Sequence, residues 1–361
     1  MRPSDQRLLT SSVLTGRPGH ICGSDTFDTS NVIMAPDRYS YEGNWLFCMF
    51  SEPEVAAARI GFGRGKMDWR DYGLEGVPIS ESALFCRIEV VAAEGIYAYL
   101  FSDPASGRAV ESRTDELDVR FRQDGTDLVR LSGWPLSHWH FCNPQDTLEV
   151  DLKVQIQDLT VWPDFLMPRN TFGMCVGTSE VAGSIRLENR RIPVSGAAVY
   201  DHPRIVVQPN SVAPFGWYLY APIRFADGTL VASYYSENCL GQKDLVYSAG
   251  FLSLADGSRH WLQSCQVRKL KVGEDRLPVC WETELEGPEV LLKYRVEIVP
   301  VPLARGWGGA DPEVSKGRYV AYPLLMEVEG EAQILGERTR LQCGRGIAEF
   351  LVHNELRPKF S

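Results

Sequence analysis

With 361 residues, 44% of them hydrophobic and 23% charged, the chain has the composition of a folded globular protein and the length for two cores or one large β-architecture. Its formal charge of −10 weighs against nucleic acid, which is bound by clustered Lys and Arg. No membrane span is predicted either, because the longest charge-free stretch, Ile205 to Ile223, is interrupted by Pro209, Pro214 and Pro222.

The chain opens Met1-Arg2-Pro3-Ser4-Asp5-Gln6, without the apolar segment of a secretory signal, so a cytoplasmic location is expected. Its nine cysteines are scattered and never form a Cys-x-x-Cys pair, which predicts reduced, mostly buried thiols. Glu54 to Arg59 is one of two short stretches with helical amphipathicity, the other being Ile347 to His353. Gly61-Phe62-Gly63-Arg64-Gly65-Lys66 continues into Met67 and lacks the spacing of a phosphate loop. Asp124-Gly125 is the first of three Asp-Gly pairs, with Asp227-Gly228 and Asp256-Gly257, that read as hairpin turns using positive φ.

His138-Trp139-His140-Phe141-Cys142 sets two imidazoles and a thiol on one predicted strand face, a spacing suited to zinc or iron. The glutamate and second histidine motif of a cupin metal site do not follow. No metal or other cofactor is therefore assigned, and the histidines are read as satisfied or surface groups. Leu148, Val150, Leu152, Val154 and Ile156 then alternate with polar residues, as Leu292, Tyr294, Val296 and Ile298 do later. Period two is the pattern of antiparallel strands with one wet face. The chain is predicted all-β, with a soft boundary near residue 195 that divides it into 1–194 and 195–361.

The residues best suited to chemistry follow that boundary. Tyr200-Asp201-His202-Pro203 carries a neighbouring acid and imidazole, which on an extended chain point to opposite faces and need other partners. A turn aspartate and a satisfied histidine are the plain alternative. Trp217 and Tyr218 begin an aromatic strand and cannot both face one side of it. In Tyr235-Ser236-Glu237 the phenol and the carboxylate share a face if the strand is regular. An acid kept protonated by an apolar barrel interior would suit proton donation to an olefin or carbonyl; a solvated strand-end glutamate is the alternative.

These segments resemble the carotenoid 1,2-hydratase and AttH-like superfamily. The resemblance runs from Val194-Ser195-Gly196 into Asp201-His202, then through Gly216-Trp217-Tyr218, Phe225-Ala226-Asp227-Gly228-Thr229 and Gly250-Phe251 to Gly344-x-Gly346-x-x-Glu349-Phe350. Asn44-Trp45-Leu46-Phe47 and Arg59-Ile60-Gly61 carry it more loosely in the first half. Pro203-Arg204 stands where the group usually has Trp-Gly. The resemblance implies two lipocalin-like antiparallel β-barrels side by side, with a cofactor-independent site in a hydrophobic cleft between them that acts on polyenes or terpenoids. It also implies relatives in secondary metabolism, among them intramolecular Diels-Alder type cyclases.

The expected function is thus a cofactor-independent isomerase or cyclase of a hydrophobic small molecule. Glu237, His202 and Tyr235 are its expected catalytic groups, and Trp217, Tyr218 and Asp201 its expected substrate-binding groups. A hydratase or dehydratase of a terpenoid or carotenoid-like alkene and a non-catalytic carrier of hydrophobic ligands are the alternatives.

Overall fold

The computed structural model describes residues 39–66, 83–103, 111–112, 118–123, 125–133, 136–143, 147–167, 170–207, 217–237, 245–273, 277–301 and 319–353. Every regular element among them is a strand. The first eleven are β1 (Tyr39–Phe50), β2 (Val55–Lys66), β3 (Ala83–Ala92), β4 (Gly95–Asp103), β5 (Glu111–Ser112), β6 (Asp118–Gln123), β7 (Thr126–Ser132), β8 (Leu136–Cys142), β9 (Leu148–Met167), β10 (Asn170–Leu187) and β11 (Arg190–Val207). The remaining nine are β12 (Trp217–Arg224), β13 (Leu230–Glu237), β14 (Leu245–Ser253), β15 (Arg259–Leu262), β16 (Ser264–Val272), β17 (Pro278–Gly287), β18 (Val290–Ile298), β19 (Tyr319–Ile334) and β20 (Glu337–His353).

The strands form two antiparallel sheets of one design. The first runs β4-β3-β2-β1-β11-β10-β9-β8-β7-β6-β5 and the second β15-β14-β13-β12-β20-β19-β18-β17-β16. Each is a meander in chain order whose first strand pairs with its last, the construction of a lipocalin-like barrel. In the second sheet the seam beside β15 is bridged by a side chain, as the Cys265 amide on β16 donates to Ser248 Oγ on β14 at 3.2 Å.

The chain divides into two compact units, one containing the residues to Ser211 together with Leu303–Gly308, the other containing the rest. β11 pairs continuously with β10 from Arg190 to Val207, so position 195 lies inside a strand of the first sheet.

Alternation builds both cores. Leu148, Val150, Leu152, Val154 and Ile156 of β9 are buried, while Lys153 between them is exposed. Leu292, Tyr294 and Val296 of β18 are buried against exposed Lys293, Arg295 and Glu297. In the first core, Trp139 packs beside Phe141 and edge-on to Tyr200, each at 6.0 Å between ring centres. Its indole N–H donates to Ser137 Oγ at 2.9 Å, so the large ring is buried without an orphaned donor.

Both stretches expected to be helical are strands. Val55 to Arg59 lies in β2, paired on both sides by β1 and β3, and Ile347 to His353 lies in β20 between β12 and β19. Two flanking ladders satisfy the backbone on each side, and that outweighs a weak local helical pattern. Gly61, further along β2, sits against an aromatic ring: a Cβ there would stand 2.5 Å from Trp45 Cε3.

Gly125, Gly228 and Gly257 have φ of 82°, 91° and 85°. The Asp227-Gly228 and Asp256-Gly257 turns are not two-residue loops with both central residues at positive φ. Gly228 N donates to Phe225 O and Phe225 N to Thr229 O, and the same pattern recurs from Leu254 to Ser258. Only glycine needs positive φ there, and the preceding aspartate serves by accepting from the backbone: Thr229 N at 2.8 Å on Asp227 and Ser258 N at 2.8 Å on Asp256. Asp124 lies outside the described residues.

Candidate functional site

The β12–β13 hairpin assembles the site. Counting outward from its turn, Arg224 pairs with Leu230 and Trp217 with Glu237, without a register shift. Leu219 pairs with Tyr235 and Ala221 with Ser233. Ser233 accepts from the buried Tyr294 hydroxyl of β18 at 2.6 Å, which identifies this face of β13 as the interior one. Tyr235 and Glu237 follow at alternate positions and share that face. The register shift next to Glu237 leaves the extra residue on β14, since Ser236 pairs with Tyr247 and Glu237 with Leu245. β13 itself stays regular, and the bulge does not turn Glu237 outward.

Glu237 is half-buried and held by two ring donors. Tyr235 Oη donates to Oε1 at 2.6 Å and Trp217 Nε1 donates to Oε2 at 3.0 Å. The two rings lie 5.3 Å apart, tilted at 45°. Burial pushes the Tyr235 phenol well above its ordinary range, and the hydrogen bond to Glu237, that group's charge and the Cys265 thiol push the same way. The phenol thus stays protonated and donates, while the carboxylate accepts on both oxygens. Behind them, Phe350 of β20 stands 6.0 Å from Trp217, and Tyr322 of β19 lies 6.4 Å from Phe350. One end of the second barrel therefore presents a carboxylate and a phenol against an aromatic wall.

Of the residues singled out in the sequence, Glu237, Tyr235 and Trp217 come together. Tyr218 faces the other way and stacks on Tyr234 at 5.2 Å. Asp201 is buried on β11 between Trp45 and Val176, in the first sheet. The His202 backbone pairs with Cys175 on β10, and its side chain lies outside the described residues. Phe350, Tyr322, Ser233 and Tyr294 were not singled out. Phe350 was within reach, being the last residue of the Gly344-x-Gly346-x-x-Glu349-Phe350 segment, but only the β12–β20 pairing places it beside Trp217.

The expected grouping of His138, His140 and Cys142 is corrected. Both imidazoles occupy the outer face of β8 opposite buried Trp139, but Cys142 is buried at the strand end with Sγ donating to Asp127 O at 3.2 Å. Their polar partners come from β9 instead. Of the six cysteines whose side chains are described, Cys48, Cys86, Cys142 and Cys265 are buried thiols.

No protein-family model and no curated protein matches this sequence. Solved structures do match the fold. A protein designated AttH from Nitrosomonas europaea aligns with TM-score 0.57 and 13% identity, over 87% of this chain and 91% of that one. Kievitone hydratase from Nectria haematococca aligns at 0.55 and 10%, over 87% and 88%. CghA in complex with Sch210972 aligns at 0.58 and 12%, over 88% and 89%. The fold is thus the one that the sequence resemblance implied, shared over most of each chain.

Proposed function

We propose that this protein is an isomerase or cyclase of a hydrophobic polyene or terpenoid, with the reaction carried by side chains at the Glu237 end of the second barrel. The observation behind this reading is a half-buried carboxylate, oriented by a phenol and an indole, that fronts an aromatic wall. An apolar chain folded against Trp217, Phe350 and Tyr322 loses conformational freedom on binding, and bringing reacting carbons into contact is worth up to about 7–11 kcal/mol in the best intramolecular cases. The ring faces and the Glu237 charge suit a developing positive charge. Glu237 takes the acceptor's part in this scheme, because both oxygens already receive hydrogen bonds, and Tyr235 and Trp217 orient it as hydrogen-bond donors. Two proteins of the same fold support this reading, kievitone hydratase and CghA in complex with Sch210972.

A hydratase or dehydratase is the second reading, favoured by the 2.6 Å Tyr235–Glu237 bond, which pairs one proton donor with one acceptor on a single face. In it, the Glu237 carboxyl group delivers a proton to one alkene carbon and takes one back from the water that captures the other, while Tyr235 holds it in place through their hydrogen bond.

The test is mass spectrometry of apolar extracts from a host lacking the gene, with and without purified protein. A peak that shifts in retention at unchanged mass is the expected result; gain or loss of water selects the second reading, and binding without conversion selects a carrier. Full turnover by Glu237→Gln would overturn the assignment.

A further inference from the structure

A second cluster of ligand-forming side chains lies on the first sheet. β8 and β9 are adjacent, with His138 opposite Lys153 and His140 opposite Asp151. His138 and His140 are two residues apart and project from the same outer face, toward the carboxylates of Asp151 and Glu149. His138 Nε2 lies 2.8 Å from Asp151 Oδ1, and His140 Nδ1 lies 3.6 Å from Asp151 Oδ2 and 4.0 Å from Glu149 Oε1. The ligating atoms of His140, Glu149 and Asp151 all fall within 4.8 Å of one another.

From these distances we infer that the outer face of β8–β9 binds a divalent transition-metal ion, of which zinc is the representative. Around such an ion, nitrogen and oxygen ligands at about 2.0–2.2 Å are separated from one another by roughly 3.3–3.6 Å. The His140–Asp151 separation already matches that figure, and side-chain rotation closes the rest. Imidazole nitrogen with carboxylate oxygen is the donor set of a borderline metal such as zinc, whereas calcium and magnesium take oxygen alone.

His140 and Asp151 are the principal ligands, and His138, which meets Asp151 Oδ1, is the one that side-chain rotation brings in. Glu149 is the weaker fourth, since Arg186 Nε donates to its Oε2 at 2.9 Å and Arg191 Nη2 lies 3.2 Å from the same atom. The residues are well placed to admit an ion, the side chains of His138 and Asp151 being 39% and 40% exposed. The bound ion ties β8 to β9 across a hairpin whose loop is already held by Asn143, which accepts from Thr147 N and Leu148 N. It is a site independent of Glu237, which belongs to the other sheet.

The experiment is titration of chelator-stripped full-length protein with Zn²⁺ by calorimetry and with Co²⁺ by visible absorption. One saturating ion per chain is expected, with the strong absorption bands of a low-coordinate Co²⁺ site. Binding should be lost in His140→Ala and in Asp151→Asn, and retained in His260→Ala. Thermal melts provide a second readout, because Zn²⁺ should raise the midpoint of the wild type and of His260→Ala but not of the two ligand variants. Absence of saturable binding in the wild type, or unchanged binding in His138→Ala/His140→Ala, would overturn the site and leave an ion-pair network between the strands.

Discussion

Glu89→Gln tests how a buried charge is carried in the first barrel. Arg59 of β2 and Glu89 of β3 are register partners with side chains 0% and 1% exposed, joined through both Arg59 Nε and Nη2, the latter at 2.9 Å. Arg87 Nε lies 3.6 Å from the same carboxylate. At an effective dielectric near 20, a contact of this kind is worth about 4 kcal/mol before desolvation is counted. The Gln variant keeps the size and an acceptor oxygen but removes a charge that offsets two guanidiniums at this spot. Breaking a buried pair from one side costs about 3–5 kcal/mol, a large share of a typical total stability of about 5–15 kcal/mol. Amide hydrogen exchange in β2 and β3 reads this locally, and an acceleration between about a hundredfold and several thousandfold is expected where those amides exchange by global opening. The apolar triple variant Arg59→Met/Arg87→Met/Glu89→Leu should recover much of the loss, because it removes the desolvation cost together with the attraction. An acceleration of less than about fivefold in Glu89→Gln, or a triple variant less stable than that single one, would refute the reasoning.

Other outcomes follow from the same structure. Glu237→Gln should lower the pH at which Tyr235 ionises, because the anion and its hydrogen bond both hold the phenol proton; a ¹³C-tyrosine NMR titration with unchanged Tyr235 midpoint would contradict this. Trp217→Phe removes the N–H on Glu237 Oε2 and part of a buried ring, so turnover should fall by roughly ten- to a hundredfold, the worth of a hydrogen bond to a charged group, and the urea midpoint should fall as well. Gly250→Ala would place a Cβ 2.5 Å from Leu285 Cδ2 and should cost about 1–3 kcal/mol in urea unfolding, with Leu285→Ala partly relieving the clash when combined with it. Burial raises the Cys48, Cys86 and Cys265 thiols far above the ordinary thiol value of about 8.5. Above that pH the unfolded chain releases their protons while the folded one keeps them, so stability should fall by about 1.4 kcal/mol per thiol for each pH unit; an equal urea midpoint at pH 8 and pH 10 would exclude this.

The sequence by itself determined the elements whose causes are local. Alternating side chains marked β9 and β18, because a pleated strand shows neighbouring residues to opposite faces. The glycines of the Asp-Gly pairs marked turns, because positive φ excludes most other residues. Tyr235 and Glu237 were legible as one face of one strand, and Trp217 and Tyr218 as opposite faces of another. The tertiary structure decided everything that depends on which strand lies beside which. Trp217 meets Glu237 through the register of their hairpin, and Phe350 joins them because the last strand of the barrel pairs with its first. Ile347 to His353 is extended for the same reason, since its backbone is claimed from both sides. His138 and His140 were read along their own strand, toward Cys142, whereas their partners stand across the ladder on β9. Spacing along a chain reports faces, while partners across a sheet are set by pairing between residues that are distant in sequence, and no single segment records that pairing.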